Sequence, residues 1–440
     1  MSDAPVVDRR VLGRPKPLYR QLQPRWCGLD RDEVEKNQRL RLIGAMVQVA
    51  GSDGGYASAN IKLLSTLAGV SRQTFYDRFG TIEVCFLASY KYVVNRAARH
   101  VRVAFYAEES WEAKLRAAFE AYASEVLCEP KAARLALVEV LGAGPAALEE
   151  RNRGKQVFER MLAVSFRECP GEIEIPPVIA QAIVGGVERI TRRRLLYGGV
   201  EHLPVLAEEL LTWATSYNSP ALTELAAIGT TTQRRSRSRT PWPRTSHRSD
   251  RDRILRSAAG VAASAGYDHL TRWQIINQSK VSEQAFDALY SGPEECFLDA
   301  LDLLGGEALD YAAEASADAE NLVAAVHLGI TALLACLARD RVLQRVMFVE
   351  VFAVGPPGIQ SRGRLLETFT DLLMRSLPED QQPSGLVAEA IIGAIWGILH
   401  RHITRGAGRL LPALAEHISY IALAPAIGAE AAVRGILADS

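Results

Sequence analysis

What the sequence lacks excludes several classes of protein. No apolar run approaches the roughly eighteen residues of a membrane span, and the N-terminus carries charges where a signal peptide needs an apolar segment. Cysteine is scarce and shows no CxxC or zinc spacing, so we expect reduced, mostly buried thiols. The six cysteines are Cys27, Cys85, Cys128, Cys169, Cys296 and Cys336. We expect a cytoplasmic protein with no membrane partner.

Motifs of catalysis and metal binding are missing as well. The sequence has no HExxH motif, no glycine-rich phosphate loop and no nucleophile paired with a base. His400 and His402 are two residues apart, so a helix directs them to different faces, and a snorkelling or solvated pair is expected. The run Arg192-Arg193-Arg194 spans too wide an arc for one pocket and is expected to be mainly solvated. We therefore expect no enzymatic activity, no catalytic residue, no metal and no cofactor.

The sequence does have ample material for several hydrophobic cores. Its 440 residues exceed one ordinary domain, and 48% of them are hydrophobic. The net charge of zero hides two basic segments: residues 9–25 hold six basic residues and no acidic one, and residues 234–253 hold eight Arg and two Asp. Both lack apolar periodicity. They are either solvated linkers or sites of electrostatic attraction to nucleic acid phosphates.

An internal repeat dominates the sequence. At an offset of 211 positions, "GY" at 55–56 matches 266–267, "CFL" at 85–87 matches 296–298, and "VEV" at 138–140 matches 349–351. The second copy then lacks three positions, and after this gap residues 183–210 align with residues 391–418. The chain is therefore interpreted as two copies of one unit of roughly 180 residues.

The repeated unit is predicted to be all-α. Apolar residues recur at helical spacing through most of it, and strand signals are nearly absent. Within it, "NIKLLSTLAGVSRQTFYDRF" at 60–79 has the pattern of two short helices joined by a tight turn. Asn60 is expected to cap the first helix, Gly69 to supply the turn, and Ser71 to cap the second helix.

The second of these short helices has two different faces. Phe75 and Phe79 are predicted to pack inward, together with Leu64, Leu67 and Ala68 of the first helix. The outward face carries amide, cationic and hydroxyl groups, which suit base edges and phosphates in a DNA major groove. These outward residues are Arg72, Gln73, Thr74, Tyr76 and Arg78. The alternative is a helical hairpin with a solvated polar face.

The arrangement "GY-x-x-A-N-I-x-x-L-x-x-x-AGVSRQTFYDRF", followed by "EVCFLASY", resembles the tetracycline-repressor (TetR-like) family of bacterial transcriptional regulators. The close resemblance covers about 50 residues. Together with the internal repeat, it implies two tandem units. Each would have an N-terminal three-helix DNA-binding domain and a larger helical domain that binds an effector and dimerises through its last two helices. Ile82 departs from the family, which often has a phosphate-binding Lys there.

The resemblance also implies roles for individual residues. Arg72, Gln73 and Thr74 correspond to base-side readers, Tyr76 and Asn60 to phosphate contacts, and Lys62 to a further one. With Ser71 and Arg78 they form the predicted DNA-binding set. A small-molecule effector is expected in the helical domain, although an apolar stripe at helical spacing is more often plain core. The candidate effector residues are Phe119, Tyr122, Val126, Phe158 and Phe166.

The second copy keeps the scaffold and loses the polar face. Arg72 becomes Glu283, Thr74 becomes Ala285 and Tyr76 becomes Asp287. Residues 58–80 hold three cations and one carboxylate, a net charge of +2, whereas residues 269–291 hold two of each, a net charge of 0. Because DNA affinity depends on neutralised phosphates, we expect the second motif to fold and to bind DNA poorly.

The two copies are predicted to form an intrachain pseudo-dimer through the last two helices of each unit. Small residues would allow close helix approach there, and a homodimer of whole chains stays open. These small residues are Ala182, Gly185, Gly186, Ala390, Gly393, Ala394 and Gly397. The predicted segments are a flexible basic arm (1–37), a helix-turn-helix domain (38–90), a helical ligand and dimerisation domain (91–222), an Arg/Ser/Pro-rich linker (223–250), a degenerate helix-turn-helix domain (251–303) and a second helical domain (304–440).

Three functions remain open at the level of sequence. The first is a sequence-specific transcriptional regulator, expected to be a repressor that binds double-stranded operator DNA, associates with the nucleoid and is released by a small-molecule effector. The second is a low-specificity DNA-binding protein that uses its Arg-rich segments. The third is a ligand-binding or partner-binding helical protein that no longer binds DNA.

Overall fold

The chain is all-α, as predicted. A computed structural model describes residues 30–169, 174–219, 222 and 249–439, and these residues form helices and turns without a strand. The first half contains α1 (Arg31–Ala50), α2 (Ile61–Ala68), α3 (Arg72–Phe79), α4 (Ile82–Tyr106), α5 (Trp111–Cys128), α6 (Pro130–Leu137), α7 (Pro145–Arg167), α8 (Pro177–Tyr197) and α9 (Ala207–Thr215). The basic segment 9–25 and most of the linker 223–250 lie outside the described residues.

The second half repeats this order with shorter pieces. It contains α10 (Asp250–Ala265), α11 (Arg272–Ser279), α12 (Glu283–Asp287), α13 (Pro293–Ser316), α14 (Leu322–Arg339), α15 (Arg341–Arg345), α16 (Val351–Ala353), α17 (Pro356–Ser376), α18 (Gly385–Thr404), α19 (Ala415–Ile427) and α20 (Ala429–Asp439). Short 3-10 helices lie at Tyr56–Ser58, Glu139–Leu141, Val200–Leu206, Tyr267–His269, Glu379–Gln381 and Gly408–Leu414, and a π-helical turn at Val346–Glu350.

These helices form two compact units. One comprises the described residues within Met1–Ala97 together with Ser124–Glu150, and the other comprises Ala98–Ala123 with the described residues within Arg151–Ser440. The first unit therefore holds α1, α2 and α3, and the second holds α8 and α9 with the whole second half. The division into six segments expected from the sequence stays a prediction.

The core of the first unit forms around α1. This helix buries an apolar stripe that includes Leu42 and Met46, which are fully buried. The carboxylate of Glu139 accepts a hydrogen bond from the backbone N–H of Tyr56 at 2.8 Å and pairs with Arg134 at 3.2 Å. Because the Glu139 carboxyl is largely buried, its pKa is raised despite these two partners.

In the second unit, α8 packs along α18 at the small residues named above. A side chain at Gly186 would lie 2.7 Å from the Ala390 carbonyl oxygen, and one at Gly393 would lie 2.5 Å from Cβ of Arg189. Both distances are too short for a real Cβ, so the two backbones approach closely because glycine occupies these positions.

Buried aromatic residues continue this contact beyond α9. The hydroxyl of Tyr217 donates to the carbonyl oxygen of Ile421 at 3.0 Å, and the hydroxyl of Tyr420 donates to the carbonyl oxygen of Tyr217 at 3.0 Å. Trp213 donates its indole N–H to the Tyr217 hydroxyl at 2.9 Å. These bonds satisfy polar groups that would otherwise be costly to bury.

Within the described part of the second unit, three segments are long and apolar enough to cross a membrane, judged by length and composition alone. They are Leu322–Arg339, Gly385–Thr404 and Gly408–Ile427. The segment Gly385–Thr404 is α18, and about four fifths of it is buried inside the unit (78%). Its packing against α8 accounts for its apolar composition.

Several details differ from the sequence expectations. Helix α1 begins at Arg31, inside the segment assigned to a flexible arm. Apolar spacing predicts a helix over 153–168, but α7 begins at Pro145, where proline is favoured because the first helical N–H needs no partner. Leu67, predicted to pack inward, is 55% exposed. Of the described cysteines, Cys128 is exposed and the other four are buried, in agreement with mostly buried thiols.

Candidate nucleic-acid interface

The turn between α2 and α3 has the left-handed geometry predicted for it. Gly69 has φ 61° and ψ 42°, a conformation that carries little penalty without a Cβ. Arg41 of α1 donates to the carbonyl oxygens of Ala68 at 2.9 Å and Gly69 at 3.3 Å. The guanidinium therefore ties the turn to the first helix. The sequence does not predict this contact, because nothing in the spacing of Arg41 relates it to the turn.

Helix α3 is fixed by its cap and its buried face. The Ser71 hydroxyl accepts from the backbone N–H of Thr74 at 3.0 Å, so Ser71 is the N-cap, as predicted. Phe75 is fully buried and Phe79 nearly so, which confirms their inward packing. The guanidinium of Arg39 lies 4.5 Å from the centre of the Phe79 ring, a cation–π distance. The helix is thereby held on its apolar side and free on the other.

The free side of α3 presents three of the predicted DNA-binding residues to solvent. Arg72, Gln73 and Tyr76 are exposed, and Tyr76 keeps about half of its surface in water (51%). The amide of Gln73 donates to the carboxylate of Asp77 at 2.8 Å. Lys62 of α2 is exposed as well. A face with guanidinium, amide, ammonium and phenol groups can donate hydrogen bonds to base edges and to phosphates.

Three other predicted residues serve the local backbone. Asn60 is exposed and caps α2 by accepting from the N–H of Leu63 at 2.9 Å. The hydroxyls of Ser71 and Thr74 are 2.9 Å apart and bond to each other, and Thr74 is half-buried. These groups therefore shape the ends of the short helices, and their contact with DNA stays a prediction.

Arg78 forms an ion pair with Glu35, which the sequence does not predict. Its guanidinium lies 2.6 Å from the carboxylate of Glu35 on α1, and its side chain is half-buried. The hydrogen bond from Arg78, with its charge, holds the pKa of Glu35 below its usual value. Arg39 also donates to the Arg78 carbonyl oxygen at 3.2 Å. Arg78 thus links α3 to α1, and the pairing was hidden because Glu35 lay in the segment assigned to the arm.

The second motif repeats this scaffold with a different surface. Lys280 takes the left-handed conformation of Gly69, with φ 57° and ψ 33°, and is the one non-glycine residue with positive φ among those described. Phe286 is fully buried, as Phe75 is. Ser282 caps α12, but this helix has five residues, whereas α3 has eight.

The acidic residues of α12 are engaged with the preceding helix. Arg272 of α11 lies 2.6 Å from the carboxylate of Asp287 and 3.6 Å from that of Glu283. Its guanidinium also lies 5.8 Å from the Phe286 ring centre. In the first motif the position of Arg272 is held by Ile61. In the second motif, Arg272 therefore neutralises the carboxylates of the same motif.

Contacts behind the two motifs recur at the same spacing in the sequence. Glu350 accepts from the backbone N–H of Tyr267 at 2.8 Å, as Glu139 does from Tyr56. Both pairs are 83 residues apart. Glu350 also pairs with Arg345, as Glu139 pairs with Arg134. The repeated sequence "VEV" thus performs the same structural task in each half.

The candidate effector residues are divided between the two units. Val126 is buried in the first, and Phe119, Tyr122, Phe158 and Phe166 belong to the second. The rings of Tyr122 and Phe158 are 6.4 Å apart, and the Tyr122 hydroxyl bonds to that of Thr191 at 3.3 Å. Phe166 is fully buried against Trp111, with ring centres 6.2 Å apart. Phe166 is therefore core, whereas Tyr122 joins a polar region that extends to Arg192.

Two expectations about charged residues are wrong. The sequence predicts that His400 and His402 form a snorkelling or solvated pair, but His400 is buried, and burial lowers its pKa well below the usual range. Arg192 was expected to be mainly solvated, but its side chain is largely buried beside Glu188. The sequence does not predict the burial of His400 or Arg192, because the helices that pack around them are distant in the sequence. Within the described ranges, no group of three or more His, Cys, Asp or Glu side chains is placed to hold a metal ion.

Comparison with known proteins gives limited similarity. No protein-family model matches the chain, and no curated protein matches it. Among solved structures, the fatty acid degradation regulator FadR from Bacillus halodurans is 17% identical with a TM-score of 0.37, covering 40% of this chain and 94% of its own. The transcriptional regulator FadR from Bacillus subtilis, solved in complex with stearoyl-CoA, is 16% identical with a TM-score of 0.37, covering 40% of this chain and 96% of its own.

Proposed function

We propose that this protein is a sequence-specific, DNA-binding transcriptional regulator that reads DNA through α3 of its first motif. The observation that carries the proposal is the two-sided character of α3. Phe75 and Phe79 fix one side in the core, while Arg72, Gln73 and Tyr76 stand in solvent on the other. A short, rigidly seated helix with this polar face suits a major groove, where guanidinium and amide groups form paired hydrogen bonds with base edges.

The second motif has a structural role in this proposal. Its scaffold resembles that of the first, but Glu283 and Asp287 replace the arginine and tyrosine, and Arg272 is occupied by both carboxylates. Carboxylates on this face repel phosphates, and a cation already paired cannot neutralise one without breaking its pair. We therefore assign DNA reading to one motif of the chain.

The chain is further proposed to be a tandem duplication whose halves form a pseudo-dimer. The close packing of α8 on α18 supports this arrangement, because each half contributes the corresponding helix. In this proposal the protein acts without catalysis in the cytoplasm, as a repressor that a small-molecule effector releases from its operator. Tyr122 and Phe158 are the candidate effector residues that contact each other.

The proposal is tested by binding of the full chain to the DNA upstream of its own coding sequence. A footprint is expected, and Arg72→Ala should weaken it by about tenfold to a hundredfold, the usual value of a guanidinium contact to a base. The matched variant Glu283→Ala, at the equivalent position of the second motif, should leave affinity within about twofold. Circular dichroism and thermal melting of both variants establish that each is folded.

Other outcomes would select the other candidate functions. If binding survived Arg72→Ala but disappeared on removal of residues 1–25, the Arg-rich segments would carry a low-specificity interaction. If no DNA bound even at low salt, the protein would be a ligand-binding or partner-binding protein instead. Equal losses in Arg72→Ala and Glu283→Ala would show that both motifs contact DNA.

A further inference from the structure

The second unit contains a buried group of charged side chains beside the candidate effector residue Tyr122, and the proposed function gives this group no role. We call it the buried cationic cluster. It draws on helices from both halves of the chain: two residues each from α7 and α8, and one each from α17 and α18. Its members are Arg151, Lys155, Glu188, Arg192, Arg362 and His400.

Glu188 is the one carboxylate of the cluster and is shared by three cations. Its Oε2 lies 2.5 Å from a guanidinium nitrogen of Arg151, 3.0 Å from Nζ of Lys155 and 3.8 Å from a guanidinium nitrogen of Arg192. Burial alone would raise the pKa of Glu188, but these cations lower it to about 2. Glu188 is therefore ionised at neutral pH and supplies a single negative charge.

Arg362 contributes a further cation without a countercharge. It is 8% exposed, and its guanidinium lies over the Phe352 ring at 5.1 Å. Its charged neighbours are Arg192, Arg189 and Arg151, all of them cationic. No carboxylate pairs with Arg362 among the described residues, and its Nε has no hydrogen-bond partner there.

The repeat explains how this imbalance arises. The offset that places Pro145 on Pro356 also places Arg151 on Arg362, and both arginines are buried. The alignment of residues 183–210 with 391–418 places Glu188 on Trp396. The second half has thus kept the arginine and lost the carboxylate. The same alignment places Arg192 on His400, so both halves bring equivalent positions to one region.

The cluster as a whole carries an excess of positive charge. Even with Arg192 left out, Arg151, Lys155 and Arg362 are three cations against one carboxylate, a net charge of +2. Burial lowers the pKa of Lys155 to about 8, so it remains mostly charged at neutral pH. Arginine stays protonated in proteins. Buried charges are normally paired, and an unpaired one strongly disfavours the folded state.

Nearby buried cations do have partners, so the imbalance is local. Arg401 pairs with Glu159 at 2.6 Å, and that carboxylate also attracts Lys155 of the cluster. Arg189 has Glu389 as the first of its attracting neighbours. Within the cluster, by contrast, donors remain unused: Nε of Arg151, Nε of Arg362 and both ring nitrogens of His400 lack hydrogen-bond partners in the described structure. These groups are the kind that surround an oxyanion.

We infer that the buried cationic cluster is the binding site of a compact oxyanion that carries two or more negative charges and bridges the two halves of the chain. Guanidinium groups match the geometry of phosphoryl and carboxylate oxygens in paired hydrogen bonds. Two negative charges would offset the net charge of +2 that Arg151, Lys155 and Arg362 leave after Glu188 is counted. The site does not depend on DNA binding, and its test uses no DNA.

The test is calorimetric titration and thermal melting of the full-length protein after exhaustive dialysis into a buffer without oxyanions. The probes are inorganic phosphate and succinate, each compared with chloride at equal ionic strength. Saturation by phosphate or by succinate should raise Tm by several degrees, because a ligand that binds only the folded state stabilises it. Arg362→Met should weaken that binding by about tenfold or more.

Arg364→Met is the matched control, because it removes the same charge from an exposed position of the same helix. It should bind the probe as the wild type does. Arg362→Met without probe should melt at the same temperature as the wild type or higher, since an uncompensated charge has been removed. Lys155→Met is the second variant, and it too should weaken binding.

Each outcome decides the inference. Binding of phosphate alone identifies a phosphoryl group, binding of succinate alone identifies a dicarboxylate, and both support the site. If neither probe bound more tightly than chloride, or if Arg362→Met and Arg364→Met bound it equally, the inference would be overturned. A lower melting point of Arg362→Met with unchanged probe binding would assign Arg362 a structural role instead.

Discussion

The two helix-turn-helix motifs of this chain share a scaffold and differ in surface. Both have a capping serine, a left-handed turn residue and a fully buried phenylalanine. The first presents Arg72 and Tyr76 to solvent, whereas the second has Glu283 and Asp287 there, tied to Arg272. The second motif therefore has the residues that hold the hairpin together, and it lacks the residues that suit DNA.

This difference separates the residues that a motif needs for folding from the residues that suit DNA, which a single motif would not allow. A polar face on α3 alone would be consistent with ordinary solvation. The second motif provides an internal control, because it keeps the capping serine, the left-handed turn and the buried phenylalanine while carboxylates occupy its solvent-facing side. The contrast indicates that the polar face of the first motif is not needed for folding.

The largest expected effect tests whether the shared scaffold is equally important in both copies. Phe75→Ala and Phe286→Ala each remove a fully buried ring, and each should cost about 3–5 kcal/mol of stability in its own motif. Hydrogen exchange measured along the chain would locate the loss. A cost for Phe286→Ala below about 1 kcal/mol would contradict the view that the second hairpin is maintained as a structural element.

A smaller effect tests the other place where the copies diverge, the equivalent positions Arg192 and His400. The pKa of His400 is lowered well below its usual value by burial and by neighbouring cations, Arg151 first among them. The unfolded chain therefore binds a proton at His400 as the pH decreases below about 6.5, and the folded chain does not. The free energy of unfolding consequently decreases as the pH decreases. One such proton gives a slope of up to about 1.4 kcal/mol per pH unit.

His400→Gln should remove that slope from denaturant unfolding measured between about pH 6.5 and 5. His402→Gln, two residues along the same helix and bonded to the Ile398 carbonyl oxygen, is the control and should keep it. His417, whose pKa is also lowered by burial, leaves a residual slope in both variants. An unchanged slope in His400→Gln would mean that His400 is protonated in the folded protein.

The scaffold was predictable from the sequence, because its signals are local. The caps Asn60 and Ser71, the turn at Gly69 and the inward Phe75 each follow from neighbouring residues. The exposure of Leu67 was missed, since a short helix has too few apolar positions to define its buried face. Local spacing also gave no sign that α7 starts eight residues before its predicted start at 153.

The charged contacts were not predictable, because their partners are distant in sequence. Arg78 meets Glu35 across 43 residues, and Arg192 and His400 reach the same cluster from different halves. Helical spacing says which face a side chain is on and does not say what packs there. A run of three arginines therefore read as solvated, although Arg192 is largely buried.

The smallest expected effect concerns the turn, where the copies use different residues for one conformation. Lys280 has φ 57°, which costs a residue with a Cβ about 1–2 kcal/mol, whereas Gly69 at φ 61° avoids that cost. A glycine at this position also lowers stability by about 0.5–1 kcal/mol, because it gives the unfolded chain more conformational freedom. Lys280→Gly should thus stabilise the second motif by about 0.5–1 kcal/mol, and Gly69→Lys should destabilise the first by a similar amount.

Denaturant midpoints at unchanged m-value measure both reciprocal changes at the turn. Gly306→Ala in α13 is a control without left-handed strain, since a Cβ there meets nothing within 4 Å, and it should be mildly stabilising. If Lys280→Gly lowered the midpoint, the ammonium of Lys280 would make a contact worth more than the strain of its backbone. The second motif would then have selected lysine at the turn, and its divergence from the first would extend beyond the residues proposed to read DNA.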